Sequence, residues 1–176
     1  MALAGGDFKE TIMDEIKKIM VAVGFSGYAE GIFNYADQLA SKLGAQLIVA
    51  SIINSRDVEA ISTITNMGYD LDSEKYIQEL KAQRQSEFEA VTRNASLPKA
   101  SIELVMAVGN PIDELLKIII DKNVDLVVMG VKGRTDLEHI FIGSVAEKLF
   151  RRSPVAVLSY RDEKSKERLR KHIHLT

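Results

Sequence analysis

Val124-Asp125-Leu126-Val127-Val128-Met129, then Gly130-Val131-Lys132-Gly133, then nine residues and Gly143-Ser144, is the passage that decides how this chain folds. Val124 to Met129 is the most apolar run of the second half and suits a strand covered on both faces. Gly130 and Gly133 punctuate the connection that follows it. Ser144 to Arg152 then has helical spacing and stops before Pro154. A buried strand, a glycine-bearing loop and a helix start, in that order, form one unit of a parallel α/β sheet.

The same unit recurs on either side. Towards the N-terminus, Lys18 to Val23 is a short apolar run that stops at the turn cluster Gly24-Phe25-Ser26-Gly27. Tyr28 to Leu43 follows as a helix, with Ile32, Phe33, Tyr35, Ala36, Leu39, Ala40 and Leu43 at helical spacing, Ser26 as its expected N-cap and Gly44 as its C-cap. Gln46 to Ile53 is a second, almost wholly apolar strand. Asn54 to Asp72 is expected to be a long irregular connection, and Ser73 to Arg93 a helix. Ser101 to Val108 is the third strand. Asn110 as N-cap, Pro111 at the first helical position and Asp113 in the first turn agree on a helix running to about Lys122. Beyond the central passage, Val155 to Tyr160 is a fifth strand, and the charged stretch from Arg161 to Thr176 is a solvated helix or no structure at all.

Strands alternating with helices imply right-handed crossovers and a doubly wound parallel sheet with helices on both faces. The chain has 176 residues, enough for a single core. The organisation expected is an arm over residues 1–16, one α/β domain over 17–160 and a charged tail over 161–176.

Composition excludes several functions. The net charge of −2 offers no bulk basic field for nucleic acid, and no apolar run reaches membrane-spanning length. There is no Cys and there are three His, so disulfides, thiolate chemistry and an imidazole-rich metal site are not expected. Residues 1–15 lack a signal peptide's basic and long apolar regions, and a cytoplasmic protein is expected.

In a parallel sheet, ligands lie at the carboxyl ends of the strands where the winding reverses. Gly24, Ile53, Gly109 and Gly130 stand there. Gly130 and Gly133 let backbone approach a ligand, and peptide N–H groups in such turns converge on anions. Gly143-Ser144 opens a helix whose free N–H groups face the same space, with Lys132 and Arg134 adding charge. Ser144 and Glu147 have the spacing of a capping box. The Gly-Lys-Ser/Thr order of a Walker loop and the Gly-x-Gly-x-x-Gly fingerprint are both missing. Composition and spacing alone leave a phosphate cradle and an ordinary capped loop equally open.

Gly130-x2-Gly133-x9-Gly143-Ser144 between the last two strands resembles the nucleotide-binding motif of the universal stress protein family. Lys18-Ile-Met-Val-Ala-Val23, Gly109-Asn110-Pro111, Asp125-Leu-Val-Val-Met-Gly130 and Ser153-Pro-Val-Ala-Val-Leu158 extend the similarity over roughly Lys17 to Tyr160. The resemblance implies a five-stranded α/β fold of order 3-2-1-4-5, adenine nucleotide alpha hydrolase-like. It also implies a homodimer formed through Val155 to Tyr160 and binding of ATP or a related adenine nucleotide (AMP or ADP), with Mg²⁺ as a candidate companion. Carried over by position, Gly130 and Gly133 flank ribose and phosphates, and Gly143 and Ser144 donate to the phosphates. Met129 and Val145 line the nucleotide, and Ala22, Val23 and Ile52 sit against adenine and ribose. One position departs from the family pattern. Gly24 stands where members commonly carry Asp against the nucleoside, so the phosphate half is complete and the nucleoside half is altered.

The function implied is a stress-response regulator or sensor acting through an adenine nucleotide and a protein partner of unknown identity, with no nucleic acid and no membrane. Two other functions compete: a slow Mg-dependent ATPase or phosphotransferase, and an interaction module with a vestigial nucleotide site. No positioned general base stands out in the sequence, which weighs against the enzyme. His139 beside Asp136 and Glu138 reads as solvated loop, and Phe25 and Tyr28 as packing against the first helix.

Overall fold

Five apolar segments pair into one sheet in a computed structural model that describes residues 15–24, 29–67, 72–130 and 143–172. They are Lys18–Ala22 (β1), Gln46–Asn54 (β2), Ile102–Gly109 (β3), Leu126–Gly130 (β4) and Ala156–Tyr160 (β5). The order is β3-β2-β1-β4-β5 and every pairing is parallel. The sheet thus has the five-stranded, doubly wound order 3-2-1-4-5. The sequence spacing places each strand to within two residues.

Residues alternate across the sheet because strand side chains have a period of two. Ile19, Val21, Leu47, Val49, Leu126 and Val128 point to one face. There they meet Phe33, Ala36 and Ala40 of α1 (Ala29–Leu43). Met20, Ile48, Ala50, Val127 and Met129 point to the other. That face is covered by Ile112, Leu115, Ile118 and Ile119 of α4 (Pro111–Asp121) and by Ala146 and Leu149 of α5 (Ser144–Arg152). Phe33 is 1% exposed, and burying such a ring stabilises by about 3 kcal/mol.

The expected punctuation holds at several points. Gly44 ends α1 with φ +66, and Asn123 follows α4 with φ 52, the left-handed conformation that Asn adopts more readily than most residues. Asn110 Oδ1 accepts from Ile112 N at 3.1 Å, with Pro111 opening the helix. Ser26, expected to cap α1, lies outside the described residues.

One expected connection is instead structured. Residues 55–66 form a helix, α2 (Ser55–Asn66), begun by Asn54, whose side chain accepts from Arg56 N. No residue of α2 is fully buried, and its apolar stripe is short, with Val58 and Ile61 half-buried one turn apart, so it is easily read as part of a polar connection. Its Ser and Thr hydroxyls are satisfied within the helix: Ser62 donates to Val58 O, Thr63 to Glu59 O and Thr65 to Ile61 O. The helix α3 (Ser73–Thr92) follows, capped by Asp72. The charged tail contains α6 (Glu163–His172), where Asp162 Oδ1 accepts from Ser165 N and Ser165 is buried.

Two carboxylates fix the layout. Asp125 Oδ2 accepts from Lys17 N at 2.8 Å and Lys18 N at 2.9 Å, tying the start of β4 to the start of β1. Asp37, 3% exposed on α1, accepts from Ser96 N and Leu97 N and holds the chain where it turns from α3 towards β3.

Candidate functional site

Because all strands run the same way, their carboxyl ends share one rim. The winding reverses between β1 and β4: from β1 the chain continues to β2 on one side, and β4 pairs on the other. In open α/β sheets ligands bind outside the carboxyl ends of the strands at such a switch point. Register aligns Ala22 with Ala50 on one side and Met129 on the other, and Gly130 with Tyr160.

The expected site residues sort by face. Ala22, Ile52 and Val145 pack, partly buried, against the cluster that contains Met129. These four share the α4/α5 face. Val23 is buried on the opposite face, and its N donates to Ala50 O at 3.0 Å. Gly24 follows at the rim, and a β-carbon built on it meets none of the described residues within 4 Å. Gly130 differs: a β-carbon there would fall 2.7 Å from Cδ1 of Ile32, which seats the first turns of α1 over the end of β4. Gly133, Lys132, Arg134 and His139 lie outside the described residues.

Gly143 and Ser144 meet at the start of α5, but not as a capping box. Gly143 is the N-cap residue, Ser144 is the first helical residue, and among the described residues no side chain caps the helix. Glu147 is used differently too, donating its N to Gly143 O and pairing through its carboxylate with Arg151 at 3.5 Å. With glycine at the cap, the first-turn N–H groups have no side-chain acceptor from the helix's own start, and the positive end of the helix dipole faces outward. Ser144 is exposed. That end therefore presents peptide donors and a hydroxyl, groups of the kind that suit an anion.

Displaced pKa values among the described residues are found on α6. The hydrogen bond from Lys166 pulls Glu163 below its usual value and pushes Lys166 above its own. Among the described residues no group of three or more His, Cys, Asp or Glu converges as a metal site, and no helix is long and apolar enough to cross a membrane. A separate groove of about 460 Å³ lies between α1 and α3, but its Asp37 is already occupied by Ser96 and Leu97.

One feature near the rim escaped the pattern reading. Arg84, 3% exposed on α3, reaches through the helix layer and its Nη1 donates to Ser51 Oγ, fully buried on β2. Two signals mark it. Ser51 is a polar interruption in the apolar run Leu47 to Ile53, and Arg84 stands one turn after Leu80 and one turn before Phe88, on the apolar stripe of α3. The pair lies directly beneath the end of β2.

A five-stranded parallel sheet of order 3-2-1-4-5 with helices on both faces defines a doubly wound α/β protein. The chain belongs to the universal stress protein family, whose model matches residues 15–161. Universal stress protein MJ0577 of Methanocaldococcus jannaschii is 25% identical over 150 residues, covering 81% of this chain and 93% of the relative. A putative universal stress protein of Staphylococcus saprophyticus is 29% identical over 152 residues, covering 86% and 87%. The solved structure of MJ0577 superposes with a TM-score of 0.66 at 23% identity, over 85% of this chain and 99% of the other. A universal stress protein solved in complex with cAMP follows at 0.58 and 20%, over 84% and 98%. One from Archaeoglobus fulgidus in complex with dAMP gives 0.53 and 18%, over 84% and 99%.

Proposed function

We propose that this chain binds an adenine nucleotide, ATP or its AMP or ADP relatives, across the carboxyl ends of β1 and β4, and acts as a regulatory or sensor protein of the cytoplasm. The observation that carries the reading is the start of α5. Gly143 leaves the helix without a side-chain cap at the sheet's switch point, with Ser144 exposed beside it. Ala22, Ile52, Met129 and Val145 offer an apolar wall on the same face for a base and sugar. The cAMP and dAMP complexes of two structural relatives support an adenine nucleotide as the ligand class.

Gly24 shapes the affinity. With no carboxylate at that position, recognition rests more on the phosphates than on the nucleoside. The edge strand β5 is the surface for a homodimer, and regulation passes through a protein partner. Gly133 belongs to the same site by its place in the motif, and Mg²⁺ accompanies the triphosphate.

The experiment is mass spectrometry of small molecules released on denaturing the purified protein, paired with calorimetric titration of ATP, ADP and AMP. Retained adenine nucleotide, or saturable binding of any of the three, is the expected result. No release and no binding would leave the chain an interaction module. Many turnovers of Mg·ATP, abolished by Gly130→Val, would make it an enzyme instead.

A further inference from the structure

Arg161 is the first residue past β5. Its side chain folds back along the strand, and Nη1 donates to Ser159 Oγ at 3.2 Å. Register puts Ser159 beside Met129 and Tyr160 beside Gly130. Arg161 therefore stands level with the point where the chain leaves β4. Leu158 and Tyr160 pack on the α1 face and Val157 on the opposite one. By strand alternation Ser159 shares the face of Val157, which is also the face of Met129 and of Val145 in the first turn of α5. The guanidinium anchored on Ser159 is thus held on the side of the rim from which α5 begins.

Its hydrogen bonding is incomplete. Nε of Arg161 is buried and has no hydrogen-bond partner among the described residues. Buried donors are nearly always satisfied, and one that the protein leaves open calls for a ligand, ion or water. The helix start on the same side has the matching need, because no described residue's side chain caps α5. Both groups take the same kind of occupant, an oxyanion. Peptide N–H groups offer short donors and partial positive charge, and a guanidinium offers a planar fork with a full one.

We propose that Arg161 is a binding residue for the anionic group seated at the start of α5, donating to a phosphate oxygen of the bound nucleotide, with Ser159 as the residue that positions it. The proposal rests on the nucleotide reading above and names the side chain that supplies the cation to its phosphate half. Arg161 closes the β5 side of the site, opposite Gly24 on the β1 side. The site is accordingly weighted towards charge at one end and left without it at the other.

The test uses the full chain as wild type, Arg161→Gln, Arg161→Lys and Ser159→Ala, titrated calorimetrically with ATP and with adenosine. The Gln variant should bind ATP about tenfold more weakly, the effect of one charge-assisted hydrogen bond, and adenosine as wild type does. Lys should recover part of the loss. Ser159→Ala, which keeps the cation but frees it, should give a smaller loss confined to ATP. The salt dependence of ATP binding should flatten in the Gln variant. Equal ATP affinity in wild type and the Gln variant, or equal loss of ATP and adenosine, would overturn the assignment. Absence of any nucleotide binding by wild type would sink the nucleotide reading instead. In that case inorganic pyrophosphate decides: a rise in the wild-type melting temperature that the Gln variant lacks supports the anion site, and equal behaviour of the two removes it.

Discussion

Cδ1 of Ile32 lies 2.7 Å from the place a β-carbon on Gly130 would occupy. Ile32 is buried on α1 and Gly130 ends β4, so the contact sets how closely the first helix sits over the switch point. Glycine at 130 is needed for this approach. Gly130→Ala should destabilise the protein by about 1 kcal/mol, since the atom that must yield is the tip of a flexible side chain. Ile32→Val removes that tip and should itself cost about 1 kcal/mol. The double variant should lose clearly less than the two singles together, as read from urea unfolding of all four proteins. Strict additivity would show that the two residues do not press on each other.

Gly24 is the contrasting glycine. None of the described residues comes within 4 Å of its β-position, so Gly24→Asp should leave the melting temperature nearly unchanged. The carboxylate should tighten binding of adenosine and ATP by a similar several-fold factor, because it adds contacts to the nucleoside they share. ATP bound equally well with and without the carboxylate would refute the view that Gly24 weakens the nucleoside half.

Ser51 and Arg84 make a buried pair beneath the end of β2. Removing the hydroxyl with Ser51→Ala leaves a buried guanidinium with one acceptor fewer, a loss of about 1–3 kcal/mol. Arg84→Met keeps the length and apolar stem while removing the charge. The combined variant should be more stable than the sum of the single losses predicts, because the guanidinium that loses its hydroxyl acceptor is then gone as well. Denaturant midpoints measured with an unchanged m-value would establish this.

The start of α6 should respond to pH at both extremes. Glu163 is lowered from 4.5 by its hydrogen bond with Lys166, so its contribution is present above that value and lost as pH falls through the folded value. Lys166 is raised from 10.5 by the same bond, so its contribution is present below that value and lost as pH rises through the folded one. The ion pair thus holds across the window between them. Both groups are exposed, and salt should weaken the effect. NMR titration should show Glu163 protonating below 4.5, and Lys166→Met should return it there. A titration curve that Lys166→Met leaves in place would rule the pair out.

The sheet was legible because buried parallel strands write long apolar runs. Leu47 to Ile53 could hardly be anything else once Gly44 and Asn54 bounded it. The helix α2 was not legible, since Ser55–Asn66 buries none of its residues fully and its hydroxyls return to its own carbonyls. The position of Ser144 was read one place early as a cap. The capping-box spacing is real, but Gly143 holds the cap geometry and Glu147 turns to Arg151. Motif spacing brought out the glycines and Ser144, whereas Arg84 and Arg161 depend on partners 33 residues away or on register across the sheet. Long-range pairings of that kind leave little periodic trace.

Parallel strands give this sheet two unlike rims. At the amino rim, the Asp125 carboxylate and the backbone of Lys17, Lys18 and Gln46 lace β1 to its neighbours on both sides. At the carboxyl rim stand Gly24, Gly130 and the open start of α5. The stitching of the strands and the glycine positions of the proposed site thereby fall at opposite ends of the same strands. Single exchanges at the carboxyl end therefore leave untouched the hydrogen bonds that stitch the strands together at the amino end.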